Sequence, residues 1–251
     1  MAVTIHACSR AGLASVMTLR DVQRNWDAMG RRNPLTAILT TRLSWDVGEF
    51  FETGRREVEG LLHDIGELDT GFDVGRALDF GCGVGRLAQS LADHYEEVIG
   101  VDIAPSMIEK ADTLNRHGGR CRYVVNGEDN LRVFPDGFFD LIYSNITLQH
   151  VKPVHALNYV KEFLRTLSRR GIMVFHMPSV KIGRKLMDYL PEGAAVLVQR
   201  LVLGGAMEMH GIERDTLIRF IEENGGAVLK VKPSDSAGDA WETYEYFVGK
   251  R

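Results

Sequence analysis

The feature that most constrains the fold of this chain is LDFGCGVGR at residues 78–86, a short apolar run that breaks into three alternating glycines and then into an amphipathic stretch from Arg86 to Tyr95. Gly81, Gly83 and Gly85 fall where a chain must turn sharply out of a strand, and where backbone has to approach a ligand with no Cβ in the way. The helix that follows offers unpaired N–H groups at its start. A strand-like run, EVIGVD, comes next and ends at Asp102, seventeen residues beyond Gly85; a helix then opens at Pro105. Proline suits a first helical turn, and the whole reads as a βαβ unit followed by its next helix.

The alternation continues. CRYVVNG (121–127) and FFDLIYSN (138–145) read as strands, with Pro135, Asp136 and Gly137 supplying the turn between them. Val154 to Leu167 fits a helix, GIMVFHM (171–177) a fifth strand and Arg214 to Asn224 a helix closed by Gly225. AVLKV and WETYEYFVG supply the last two strands. Strands that alternate with helices call for an α/β fold: a Rossmann-like, mostly parallel seven-stranded sheet with helices on both faces. Met17 to Met29 and Asp46 to Leu68 carry apolar residues at helical spacing, so residues 1–70 are expected to form a helical N-terminal extension or lid. Residues 71–251 would then form the ligand-binding domain. Val180 to Met209 interrupts the pattern with poorly periodic apolar sequence and reads as an insertion at about 180–210, at the rim of a site or on a partner surface.

Composition narrows the partners. A formal net charge of −4 argues against a surface built for nucleic-acid phosphates. With no apolar run of 18 residues and no export pattern at the start, the expected place of work is the cytoplasm, with no membrane span and no membrane partner. Cys8, Cys82 and Cys121 match no zinc spacing and read as reduced thiols. A small-molecule partner fits this balance, and a homodimer is compatible with it.

At the end of its strand, Asp102 can accept hydrogen bonds from both hydroxyls of a ribose; its alternative role is to cap the helix at Pro105. The glycine pattern, DxGxGxG, differs from the GxGxxG of dinucleotide-binding proteins. Together, LDFGCGVGRLAQSLA, VIGVDIAPSMIEKA and FPDGFFDLIYSNITLQHV resemble the class I S-adenosylmethionine-dependent methyltransferases in order and spacing, over about residues 76 to 151. The resemblance implies S-adenosylmethionine as cofactor. It puts Gly81, Gly83 and Gly85 around the methionine part, Asp102 on the ribose, and Ile103 and Met107 beside the adenine. Glu128 would face the adenine amino group with the Asp129 backbone nearby, although a glutamate departs from the commoner aspartate and a solvated acidic turn is the alternative. Asn145 would meet the methionine amino group through its backbone.

Methyl transfer is an in-line displacement, and an alcohol acceptor additionally gains from a base. His150, just past the fourth strand, has the right chemistry for a general base or an orienting residue. His176 and His210 are further catalytic candidates, and Trp26 and Glu208 are candidates for substrate contact. A divalent metal held by Glu208, His210 and His150 is conceivable chemistry that no ligand spacing supports. In relatives, N-terminal helices help to cover the cofactor, so one of Arg24, Arg31, Arg32 and Arg42 is expected to meet a carboxylate. The reading is therefore a methyltransferase acting on a small molecule, at oxygen, with a resemblance to actinobacterial and mycobacterial enzymes that methylate sugars and polysaccharides. N- or C-methylation, a noncatalytic cofactor-binding protein and an NAD-dependent oxidoreductase are the alternatives. The last would need GxGxxG and a tyrosine–lysine pair, neither of which is found.

Overall fold

The computed structural model describes residues 17–68, 71–183 and 189–251. Its seven strands form one sheet in the order β3-β2-β1-β4-β5-β7-β6. They are β1 (Arg76–Phe80), β2 (Glu97–Asp102), β3 (Cys121–Val125), β4 (Phe139–Ser144), β5 (Leu167–Lys181), β6 (Gly226–Ser234) and β7 (Trp241–Lys250). The first five are mutually parallel, while β7 runs antiparallel to both β5 and β6. This is the Rossmann-like sheet expected from the alternation of elements.

Strands buried on both faces carry apolar residues without interruption, and successive residues feed opposite cores. Ala77, Leu141, Val174 and Phe247 enter one core, beneath Val58 and Leu61. Their neighbours Leu78, Ile142, Met173 and Val248 enter the other, against Phe163 and Leu217. The first core is roofed by α3 (Val47–Gly66) and α4 (Arg86–Leu91), the second by α6 (Pro153–Thr166) and α8 (Arg214–Glu223). As expected from sequence, α8 ends where Gly225 takes a φ of +88°.

Before the sheet come α1 (Leu19–Arg32), α2 (Pro34–Ile38) and α3. Thr18 caps α1 in a reciprocal box with Asp21. A third apolar cluster, centred on Met29, Phe50, Val84 and Met107, packs these helices over the glycine loop and onto α5 (Pro105–Leu114). Because Ala104 at its N-cap has no side chain to offer, α5 borrows its cap from α1: Asp27 Oδ1 accepts the Ser106 N–H at 2.8 Å, and the Asp27 carbonyl accepts the Ser106 hydroxyl. Gln23 adds a bond from its amide to the Ile103 carbonyl at 2.9 Å. The leading helices are thereby fastened to the carboxyl end of β2.

Two features depart from the sequence expectation. The fifth strand is longer than GIMVFHM, because β7 pairs with it as far as Lys181. The interval read as unpatterned contains a regular helix, α7 (Glu192–Leu203). Asp27→Ala removes the borrowed cap, and it is expected to cost about 1 kcal/mol in urea unfolding and to speed hydrogen exchange in the first turn of α5.

Candidate active site

The carboxyl ends of β1, β2 and β4 meet around the glycine loop. Gly81, Gly83 and Gly85 have φ of +79°, +53° and +84°, left-handed values that other residues adopt only at a cost. A Cβ at Gly81 would overlap the Thr147 side chain, one at Gly83 would overlap Ile38 of α2, and one at Gly85 would overlap the Tyr123 hydroxyl. The loop is a cradle bounded on every side, and only glycine fits it.

Asp102 organises this cradle. Its Oδ2 accepts the Gly83 N–H at 2.9 Å and its Oδ1 the Ala104 N–H at 2.8 Å. Burial raises its pKa, and the two N–H groups oppose that rise. One carboxylate thus joins the glycine loop to the turn that starts α5. Ile103, half-buried, follows Asp102 beside Gln23, whereas Met107 is fully buried in the cluster under α1. Around the end of β3, the Glu128 side chain is exposed, and its carbonyl accepts the Tyr159 hydroxyl at 2.6 Å. The Asp129 carboxylate turns away to His155 and Asn158 on α6, which leaves its backbone at the site edge.

Beneath α3 lies a polar group that sequence inspection did not single out. Glu57 pairs with Arg86 at 2.8 Å and accepts hydrogen bonds from the Tyr143 hydroxyl and the Asn145 amide. Asp79, fully buried near Arg86, Glu57 and Asp102, has its pKa pushed up to about 7, chiefly by burial and against the pull of Arg86. Arg86 pairs with Glu57 and pulls on Asp79 from nearby, and Asp79 Oδ2, Asn145 Oδ1 and Arg86 Nε have no hydrogen-bond partner. A buried acceptor left unmatched asks for a donor. Unmatched acceptors and a surplus of carboxylates fit the cationic amino end of an amino-acid ligand, and the glycine cradle beside them fits closely approaching backbone. Next to Asn145, Ile146 has a φ of +56°, a left-handed conformation strained for a β-branched residue.

Four of the remaining candidates come together on the other flank. Trp26 meets the His150 ring edge-on at 5.3 Å, and His150 Nδ1 lies 2.9 Å from the Glu208 carbonyl oxygen. Gln149 Nε2 lies 3.2 Å from His150 Nε2. Glu208 pairs with His210 at 3.2 Å, and the His210 N–H binds the Gln149 carbonyl. Burial lowers the pKa of His210 against the opposing pull of Glu208. His176 stands apart from them, on the α3 side of the sheet, held by Glu245 at 2.8 Å. Among the arginines, Arg24, Arg31 and Arg42 are in surface ion pairs with Asp21, Asp27 and Glu49, while Arg32 is in none among the described residues. Tyr246 packs in the core against Phe175. Among the described residues, no three His, Cys, Asp or Glu side chains are grouped to hold a metal ion.

The sheet order, with its antiparallel β7, and the glycine loop joined to an acid at the end of β2 define a Rossmann-like α/β protein with a ligand cradle at the carboxyl end of its parallel strands. Comparison with known proteins agrees. The model of the methyltransferase domain family matches residues 78–175. The ubiquinone biosynthesis O-methyltransferase of Burkholderia pseudomallei is 28% identical over 210 residues, which cover 82% of this chain and 79% of that one. The phosphoethanolamine N-methyltransferase of Triticum aestivum is 31% identical over 154 residues, 61% of this chain and 29% of that one. In fold, the magnesium protoporphyrin IX methyltransferase of Synechocystis PCC 6803 with bound SAH superposes with a TM-score of 0.60 at 16% identity, over 93% of this chain and 99% of that one. The chain belongs to the class I S-adenosylmethionine-dependent methyltransferases, and S-adenosylmethionine is its cofactor.

The raised pKa of Asp79 has a definite sign for stability. With the folded value near 7 and the ordinary one at 3.8, its contribution is fully present below pH 3.8 and is lost as pH rises through 7. Asp79→Asn is therefore expected to leave the stability of the cofactor-free protein unchanged near pH 4. At pH 8 the same substitution should raise stability by roughly 1 to 3 kcal/mol, read from urea unfolding at the two pH values.

Proposed function

We propose that this methyltransferase acts on a hydroxyl group of a small molecule, with His150 beside the acceptor as general base or orienting group. The observation that carries the reading is the setting of His150. With Nδ1–H donated to the Glu208 carbonyl, the ring is held in one tautomer with the Nε2 lone pair toward Gln149. An acceptor hydroxyl that takes the place of the Gln149 amide at Nε2 can give its proton to the ring, and the buried flank His150 shares with Trp26 limits competition from water.

The cofactor supplies an electrophilic methyl group on a sulfonium centre. Asp102 and the glycine cradle hold its nucleoside and amino-acid parts, and the Asp79–Glu57–Asn145 group answers its charge. When bound, the cofactor would supply that methyl to the acceptor oxygen at the expense of its own carbon–sulfur bond. The hydroxyl proton passes to His150 Nε2, leaving a methyl ether and the demethylated thioether. Trp26 supplies an apolar wall, and Glu208 with His210 supplies hydrogen-bonding groups for the rest of the acceptor. His176, away from these groups, is a helper at most. Residues 1–70 serve as the covering extension and 71–251 as the catalytic domain, with work in the cytoplasm.

The name of the Burkholderia relative favours oxygen as acceptor; that of the wheat relative keeps nitrogen as the second reading. A sugar or polysaccharide precursor is the hydroxyl acceptor carried forward from the sequence resemblance. The test is transfer of labelled methyl from S-adenosylmethionine to parallel sets of sugar alcohols, phenols and amines, with wild type and His150→Ala. Turnover of a hydroxyl acceptor that falls about 10²-fold or more in the variant, with SAH affinity kept by calorimetry, is the expected result. Turnover confined to amines would remove the oxygen reading, and an undiminished variant would remove the role of His150.

A further inference from the structure

Helix α7 presents its apolar residues outward. Leu197, Val198, Leu201 and Val202, at spacings of one and four, form a single stripe and are 57%, 39%, 61% and 54% exposed. Just before the helix, Tyr189 and Leu190 are exposed as well. The inner side of the same helix is anchored: Leu203 packs toward the Met29–Phe50 cluster, and Gln199 Oε1 accepts the Met207 N–H at 3.0 Å. A helix seated by one face with a continuous aliphatic stripe on the other is built to meet an apolar medium.

The charges at its rim say which medium. Arg200 is the one charged residue of α7 beyond Glu192 at its first position, and it is exposed and outside any ion pair among the described residues. Arg32 is exposed and likewise outside any ion pair among the described residues, and its stem lies against Gly204, where α7 ends. In a symmetric pairing of two copies, this face would bring arginine toward arginine, and the stripe itself offers no acid to answer them. An anionic lipid surface answers both features, with phosphates for the arginines and acyl chains for the stripe. A net charge of −4 for the whole chain makes the attraction a property of this face alone.

We propose that α7 docks the protein on an anionic membrane surface, and that the hydroxyl it methylates is carried on a lipid-linked molecule at that surface. The second half rests on the hydroxyl-acceptor reading above. Its structural basis is continuity: the chain leaving α7 passes through Met207 to Glu208 and His210, which are hydrogen-bonded to the His150 turn. The docked helix and the wall of the acceptor flank are one stretch of backbone.

The experiment is flotation of the full-length protein with vesicles of phosphatidylcholine alone and of equal parts phosphatidylcholine and phosphatidylglycerol. Wild type should float with the mixed vesicles, and more weakly with the neutral ones. The Leu197→Glu, Leu201→Glu double variant should lose this binding. The Arg32→Gln, Arg200→Gln pair should weaken binding to mixed vesicles on the order of tenfold and leave the neutral ones unaffected. Val74→Glu, at an exposed aliphatic residue beside the amino end of the sheet, should change nothing. Unchanged SAH titrations certify that each variant is folded. Failure of wild type to float, or equal flotation of the leucine variant, overturns the proposal. So does a wild-type dimer in sedimentation that the leucine variant converts to monomer, because a second copy would then own the face. Flotation as expected, with methyl transfer only to amines, would uphold the docking and defeat the hydroxyl reading alone.

Discussion

Everything at the carboxyl end of the sheet is referred to one buried carboxylate. Asp102 leaves β2 and receives an N–H from each of two segments, Gly83 in the glycine loop and Ala104 at the start of α5. A carboxylate so deep in the fold would be costly alone, and the two charge-assisted bonds offset that cost while fixing two turns in space. From there the order spreads outward. The loop sets the start of α4 and the position of Arg86; the start of α5 receives Asp27 and so places α1; and α1 carries Trp26 to His150. Residues from distant parts of the chain are thus brought around one cradle by short hydrogen bonds rather than by long-range design of the whole surface.

The two flanks of the cradle use different physics. On the Glu57 side, buried carboxyl groups around Arg86 leave acceptors and a donor without partners, so the site has hydrogen-bonding capacity to offer a ligand. On the His150 side, hydrogen bonds are largely satisfied within the protein, and aromatic and imidazole surfaces dominate. The two flanks thus offer a ligand two different environments, one charged and one largely aromatic. The strained φ of Ile146 lies between them, where the turn after β4 bends from one environment into the other.

Much of this is legible in the sequence, for physical reasons that differ by element. The parallel strands announce themselves because burial on both faces demands unbroken apolar runs, as in Leu141 to Tyr143. Gly81, Gly83 and Gly85 are readable because backbone conformation restricts residue type. Helix α7 is not, since its aliphatic residues face outward and its inner side uses alanines and a glutamine, which blurs the usual periodicity. Glu57 hides among the acids of α3: Glu49, Glu52 and Glu59 lie along the same helix, and nothing in the chain order shows which of them turns inward. The borrowed cap of α5 is equally hidden, because Asp27 and Ser106 are 79 residues apart. The separation of His176 from His150 follows from strand register, which assigns β5 residues alternately to the two faces.

The surplus of negative charge around Asp79 reaches beyond recognition. A protein that holds an unanswered acid in its interior is less durable empty than filled, and ligand binding shifts the folding equilibrium by mass action. Unfolded molecules are what proteases remove, so the lifetime of this chain in a cell becomes tied to the supply of its methyl donor.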